Sequence, residues 1–490
     1  MDVKRCARFI DAEKRHRGID IVRRARNEGR CGGVCDHLKT RTANDERSPR
    51  TRSRARSRIG LDALELVDVP HEIGCVHTSS VRASRVACPR ARPTHALRTR
   101  RFASYLAAAA CADTGFWIST VASGWLVLTL TNSPFWLGTI AASGQLPYLL
   151  FSFYGGTLAD RFDRRTLVAG GNAILLALAL ALAALIATGH VTLATLAALS
   201  FAIGTIIALE HPVDRAWLYD LVRGEELGRA IALSSLEWSV ARTLGPAFGG
   251  IAIATVGVAV GFAVFAVSLV PMIALALVLG RKSARRDEER ADDVATFVAP
   301  RVSRLEAVVV PFSLLIAAFT IGITPYITLL PDIAKNILHL DVRGYGILSA
   351  CGGGGAIVGA LVLAKIGEIG TKGRVIPIAM FASAIALIGF TFVRDVTVAG
   401  IMLFVIGAID TLMYALANTY VQECAGDEER GRANGLFSLA FLGGIPIGNF
   451  AIGSLASAIG TERALVAAAV GAACVCVIFW FGAPGAREAA

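Results

Sequence analysis

An all-α membrane protein, with twelve transmembrane helices in two six-helix halves, is the fold class this sequence predicts, and three observations carry it. From Tyr105 to Phe481 the chain alternates about twelve apolar runs with short loops. Runs such as 167–188 and the uncharged 464–486 are long enough to cross ~30 Å of hydrocarbon as helix, which takes ~20 residues. A segment also recurs at an offset of 203 residues. Glu225-Glu226-Leu227-Gly228-Arg229-Ala230 matches Glu428-Glu429-Arg430-Gly431-Arg432-Ala433, while Gly250 and Gly257 meet Gly453 and Gly460.

The spans read as 104–130, 135–158, 166–188, 191–211, 230–256, 258–280, 305–331, 343–364, 375–393, 396–422, 433–458 and 463–482. Turn-rich Thr131-Asn132-Ser133-Pro134 and Ala187-Thr188-Gly189-His190 separate the first two pairs, and Arg394-Asp395 puts two charges between spans 9 and 10. Only Thr255-Val256-Gly257 divides the 38 uncharged residues that follow Arg242. They still make two spans, since one helix of that length would be ~57 Å long. The mixed-sign segment 281–304 is a charged cytoplasmic linker dividing 102–280 from 305–482, and 483–490 is a short tail. Loops 2/3, 4/5, 6/7, 8/9 and 10/11 hold about eighteen Lys or Arg, whereas the opposite loops hold four, Lys335, Arg343, Arg394 and Arg463. By the positive-inside rule both termini are expected in the cytoplasm, on a multi-pass protein of the plasma membrane.

Residues 1–101 differ in kind. They carry 25 basic and 12 acidic side chains, net +13, whereas the remainder carries 24 and 26, net −2. A stretch such as 47–58, almost every second residue arginine, cannot bury a core, so a basic, disordered extension is expected. It reads either as a cytosolic tail held near anionic headgroups, or as a segment upstream of the true start, since 99–107 makes a normal short lead into the first span. A functional domain is the third reading. Cys31, Cys35 and His37 lack the second ligand pair that structural zinc needs, so neither metal nor another cofactor is predicted. No apolar signal region opens the chain. Cys111, Cys351, Cys424, Cys474 and Cys476 sit mostly inside apolar runs, where cysteine packs as a small hydrophobe.

Two motifs stand at span ends and interfaces. Span 2 closes with Gly155-Gly156-Thr157-Leu158-Ala159-Asp160-Arg161-Phe162-Asp163-Arg164-Arg165. Gly155 and Gly156 let a neighbouring helix approach. Asp160 at a helix end can accept from the N-terminal amides of another helix or pair with Arg161, Arg164 and Arg165, which would latch the halves in one state. The plainer alternative is a charged loop that only fixes topology. In span 5, Pro246 removes a backbone hydrogen bond, and Gly245, Gly249 and Gly250 permit tight packing or bending. Gly352-Gly353-Gly354-Gly355 lacks a following Gly-Lys-Ser/Thr and lies inside a span, which makes it a packing element and no phosphate loop.

Charges inside a membrane are costly and point to function. Counted from the span ends, Asp113, Arg242 and Asp410 fall near mid-depth, Glu237 about 10 Å in from the cytoplasm and Glu210 at its rim. These are the proton-coupling candidates, with Asp113 and Arg242 the first pair to test. The alternative is that they neutralise one another and orient helices. Gln145, Asn172, Asn418 and Asn449 are candidates for lining a cavity, or for plain interhelical hydrogen bonds.

The 155–165 segment resembles the loop 2/3 signature of the major facilitator superfamily, Gly-x-Leu-Ala-Asp-Arg-x-Gly-Arg-Arg, with Asp163 where glycine is usual. Gly245 to Gly250 resembles that superfamily's antiporter element Gly-Pro-x-x-Gly-Gly, and 212–250 looks most like the enterobactin-exporter-like branch. The resemblance spans 102–482 and implies the major facilitator fold and efflux of a siderophore or drug-like small organic molecule, driven by protons. The expected partners are that substrate, protons and the lipid bilayer, with a monomer as the working unit and no nucleic acid. No nucleotide-binding domain or catalytic triad is visible in the sequence, so neither an enzyme nor an ATP-driven pump is expected. A proton-coupled nutrient importer on the same fold, or a membrane sensor or scaffold that transports nothing, are the competing readings.

Overall fold

In hydrocarbon an unpaired peptide N–H or C=O has no water to bond, so a spanning segment closes its own hydrogen bonds as helix. The computed structural model describes residues 100–222, 226–279, 308–366, 371–425 and 430–487. Its long helices are α1 (Arg100–Thr131), α2 (Pro134–Arg161), α3 (Arg164–Ala187), α4 (Leu193–Leu221), α5 (Leu227–Val256) and α6 (Ala259–Val278). They continue as α7 (Val310–Ile337), α8 (Val342–Ile366), α9 (Lys372–Thr391), α10 (Val396–Cys424), α11 (Arg430–Ile459) and α12 (Thr461–Gly482). Among the described residues, eleven are long and apolar enough to cross a membrane. The remaining one, α2, has 28 residues and so a length of ~42 Å.

The helix ends follow local chemistry. Asp163 is the N-cap of α3, its Oδ2 accepting from the Thr166 amide at 3.3 Å and from the Thr166 hydroxyl at 2.9 Å. Thr192 and Thr195 form a capping box at the start of α4, and Asp395 caps α10 by accepting from Val398 N at 2.9 Å. Gly257 (φ +110°) and Gly460 (φ +90°), the glycines related by the 203-residue repeat, close the turns after α5 and α11 in a conformation that L side chains avoid.

Two boundaries move substantially from expectation. The fourth span was expected to stop at 211, yet α4 runs to Leu221 with Pro212 inside it. His211, Asp214 and Arg215 are therefore helical, and Glu210 lies eleven residues from the helix end, ~17 Å deep rather than at the rim. The seventh span was expected to stop at 331 but continues through Asp332 into a π-helical turn, Ile333–Ile337. Asp332 is tolerated there because it is paired: Thr461 Oγ1 and Asn336 Nδ2 donate to its two oxygens at 2.5 and 2.7 Å. The linker 281–304, the 1–99 extension and the Cys31/Cys35/His37 group lie outside the described residues.

Within the first six helices α1 packs on α5 and α6, and α4 on α2 and α3; within the last six α7 packs on α11 and α12, and α10 on α8 and α9. The two sets meet along two seams, α2 with α11 and α5 with α8. Glycine makes the close approaches, in matched pairs. A Cβ at Gly204 would lie 1.9 Å from the Gly144 carbonyl oxygen, and one at Gly407 would lie 2.1 Å from that of Gly352. Across the seams, Cβ atoms at Gly138 and Gly346 would come within 2.8 Å of Gly453 Cα and 3.0 Å of Gly250 Cα. Gly204 with Gly407, and Gly250 with Gly453, are each separated by the repeat offset of 203 residues.

The seam approaches lie toward the end of the bundle opposite the basic loops. There Lys335 Nζ donates to Asn132 Oδ1 at 3.2 Å and Trp125 stacks on Tyr345, their ring centroids 6.3 Å apart. At the basic-loop end the ion pairs join helices of the same set, Arg164 with Asp220 at 2.9 Å and Lys372 with Glu423 at 2.5 Å. Asp220 and Glu423 again differ by 203.

Candidate functional site

The intramembrane charges gather in two groups. The first lies among α1, α4 and α5, where Asp113 faces Glu237 and both interact with Asp214 and Arg215. Asp214 Oδ2 accepts from Tyr105 Oη at 2.7 Å, and Tyr105 meets Trp217 edge-on with ring centroids 5.5 Å apart. Glu210 sits beside them, close to Asp214 and Asp113, and accepts from Asn172 Nδ2. Three of these carboxyls, Asp113, Asp214 and Glu237, thus share the field of one arginine, Arg215. Glu237 Oε1 is buried and has no hydrogen-bond partner among the described residues.

The second group bridges the two sets of helices. The Arg242 guanidinium lies over the Trp117 ring, 5.6 Å from its centroid, and feels the charge of Asp410 on α10. Ser383 donates to Asp410 Oδ1 at 2.5 Å. Tyr326 of α7 interacts with both charges. Around Trp117 stand Trp238 at 5.6 Å and Phe116 at 5.6 Å, and Phe116 in turn contacts Phe265 at 6.3 Å. Trp117 Nε1 is buried without a hydrogen-bond partner among the described residues.

The pair singled out from sequence, Asp113 with Arg242, is not brought together. α1 and α5 run side by side in the same direction, so the contacts climb as a ladder: Asp113 with Glu237, Trp117 with Trp238 and Arg242, Ile118 with Gly249. Arg242 therefore stands about one turn above Asp113, opposite an indole instead of a carboxylate. Four further participants lay beyond the sequence reading. Asp214 and Arg215 lie past the expected end of the fourth span at 211; Ser383 and Trp117 carry no charge, and an apolar run hides them.

In the 155–165 segment only Gly155 makes the close approach expected of the glycine pair. A Cβ there would lie 2.5 Å from Leu209 O on α4, whereas one at Gly156 would meet nothing within 4 Å. Arg164 holds Asp220 and also donates to Ala159 O at 3.3 Å; Arg165 donates to Leu279 O at the end of α6. Arg161 is exposed, and Asp160 is exposed with no hydrogen bond or ion pair among the described residues. In α5, Gly245 and Gly249 fit against α1, where their Cβ atoms would lie 2.6 Å from Trp117 Cβ and 3.2 Å from Ile118 Cα. Gly250 and the Pro246 carbonyl face α8 instead, so one glycine-proline element touches both sets of helices. The Gly352–Gly355 run is a packing element: a Cβ at Gly353 would lie 2.8 Å from Thr243 Cα on α5, and one at Gly355 1.8 Å from Phe404 O on α10.

The four cavity candidates differ. Asn172 and Asn449 are buried between helices, Asn449 Oδ1 accepting from Thr328 Oγ1 at 2.8 Å across α7 and α11. Asn418 accepts from Gln422 one turn on along α10 at 2.7 Å, and Gln145 is half-buried on α2. No group of three or more His, Cys, Asp or Glu suited to a metal ion occurs among the described residues.

Two six-helix sets, joined by glycine seams and with Arg242 and Asp410 facing each other across them, have the architecture of the major facilitator fold. The sequence profile of the transmembrane secretion effector family matches residues 91–488, and the chain belongs to that family. It is 25% identical over 383 residues to the staphyloferrin A transporter of Staphylococcus aureus, covering 75% of this chain and 92% of that one. To the multidrug efflux pump Tap of Mycobacterium tuberculosis it is 26% identical over 400 residues, covering 76% and 90%. The fold is similar to that of the nucleoside transporter NupG (TM-score 0.64, 13% identity, 77% and 98% of the two chains). It is also similar to an inward-facing bacterial homologue of the human lysosomal transporter Spinster (TM-score 0.62, 14% identity, 80% and 98%). The protein is thus a multi-pass secondary transporter of small molecules and no enzyme.

Proposed function

We propose that this transporter exports a small amphipathic organic molecule in exchange for protons, with both termini in the cytoplasm of a bacterial cell and twelve spans in two halves, 102–280 and 305–482, acting as a monomer. The matched glycine pairs and ion pairs at the repeat offset support the division into halves, and the loop charges support the orientation. In that orientation the helices meet at their outer ends, which corresponds to an inward-facing state.

The observation that carries the coupling is the Asp113–Glu237 pair. Two neighbouring carboxyls do not both ionise readily, so the pair is a natural holder of one exchangeable proton. Asp214 and Arg215 connect it toward the cytoplasm through Tyr105. Arg242 and Asp410 supply the charges that face each other across the halves, and the Gly245–Gly250 element is the joint on which α5 moves against α8. Asp160, Arg161, Arg164, Arg165 and Gly156 then act in the opposite state, when the basic ends close and Asp160 reaches the α11 terminus. Export over import rests on the named efflux pump among the relatives and on the glycine-proline element.

The test is flux in proteoliposomes under an imposed pH gradient, beside substrate binding in detergent. Gradient-driven efflux that collapses in Asp113→Asn while binding survives supports the reading. Uptake instead of efflux under the same gradient overturns its direction, and flux indifferent to the gradient overturns proton exchange.

A further inference from the structure

We infer that Arg242 and Trp117, on the side of the first six helices that faces Asp410 of the last six, recognise a carboxylate group carried on an apolar, ring-bearing body. The inference rests on the proposed transport path, since it places substrate between the two sets of helices. It starts from donors that nothing uses. Arg242 makes no hydrogen bond or ion pair among the described residues, so its planar fork of five N–H donors is unspent at membrane depth. Trp117 Nε1, in the ring beneath it, is buried and likewise unpartnered.

A buried donor with no acceptor is costly, and the Trp117 N–H lies beside the half-buried, unpaired Arg242 guanidinium, so the two together suit an acceptor. The guanidinium lies over the indole face, and a guanidinium binds a carboxylate through two parallel hydrogen bonds. Trp238, which is exposed, and Phe116 continue the ring surface beside it and suit an aromatic or alicyclic body. The groups facing Arg242 from other elements are Asp410 on α10 and Tyr326 on α7. Asp410 already accepts from Ser383 and lies beyond ion-pair distance of Arg242, so it leaves the fork open. The carboxyls of Asp113 and Glu237 lie a turn nearer the basic loops and form the separate proton-holding pair.

The rival is an organic cation held by the same rings. Arg242 argues against it, because a cation over Trp117 would have to displace a guanidinium already seated there.

The experiment compares two probes that share a ring system and differ in charge, dansylglycine and dansylcadaverine, read by energy transfer from tryptophan in the purified full-length protein. Saturable dansylglycine binding should weaken about tenfold or more in Arg242→Gln, and by less in Arg242→Lys, which keeps the charge and loses the fork. Trp117→Phe keeps the stacking surface and removes the donor, so it should weaken dansylglycine severalfold while leaving dansylcadaverine unchanged. Asp410→Asn removes the competing carboxylate and should tighten dansylglycine. Wild-type protein that binds dansylcadaverine and not dansylglycine, or neither, overturns the inference, as does undiminished dansylglycine binding in folded Arg242→Gln. Binding is read without a gradient: a failure of proton-driven export leaves it standing, and its own failure leaves export standing.

Discussion

At the scale of single residues, the proposed proton step makes one unit of Asp113 and Glu237. Asp113→Asn and Glu237→Gln should each abolish pH-driven efflux, and the double variant should be no worse than either single one, because both changes strike the same step. Losses that multiply in the double variant would show two independent proton sites. Both residues were legible in the sequence as charges inside apolar runs, and so were Arg242 and Asp410. Their pairing was not. Each residue turns ~100° about a helix, so an uncertain boundary or a slight rotation of α5 on α1 decides whether Arg242 meets a carboxylate or an indole. Asp163 is the converse case: an acidic residue at a position where the resembled signature has glycine is explained by the N-cap it provides to α3. Asp163→Ala should cost about 1 kcal/mol, read as a lower melting temperature of the detergent-solubilised protein.

Between elements, glycine sets the distance. At Gly204 and Gly407 a side chain would run into the backbone of α2 and α8, and a backbone has no rotamer with which to yield. Gly204→Val and Gly407→Val should therefore fail to give a monodisperse protein, as judged by size exclusion in mild detergent, and should fail alike because they are equivalent in the repeat. Gly156→Ala meets open space and should match the wild-type melting temperature or slightly exceed it, since alanine is the better helix former by about 1 kcal/mol. A tolerant Gly204 beside an intolerant Gly156 would reverse this assignment. The helices themselves were readable from hydropathy to within a few residues, because a spanning segment has a single backbone solution. The exceptions are α4 and α7, which run on past the expected ends at 211 and 331. Asp214 and Asp332 are carried inside helices because Tyr105 and Thr461 satisfy them, and such partners lie more than a hundred residues away in the chain.

For the whole molecule, the two seams form a pair of equivalent joints, and rocking about them would exchange which end of the bundle is closed. In the present state the ends opposite the basic loops are closed: Asn132 accepts from Lys335, and Gly138 and Gly250 lie against Gly453 and Gly346. Asp160 is exposed at the other end, as the proposed cycle requires of a side chain that would act in the opposite state. Asp160→Asn should therefore leave the melting temperature of the resting protein unchanged while lowering flux. Spin labels at positions 132 and 336 should be close at rest, and labels at 161 and 432 far apart. Substrate supplied together with a pH gradient should shorten the second distance and lengthen the first. If the 161–432 distance is already short at rest, the basic ends are closed and the state is misassigned. If both distances stay fixed during measured transport, the two six-helix sets do not rock against each other, and the path must open by a local motion, with the broken segment of α7 between Gly322 and Tyr326 the first place to look for it.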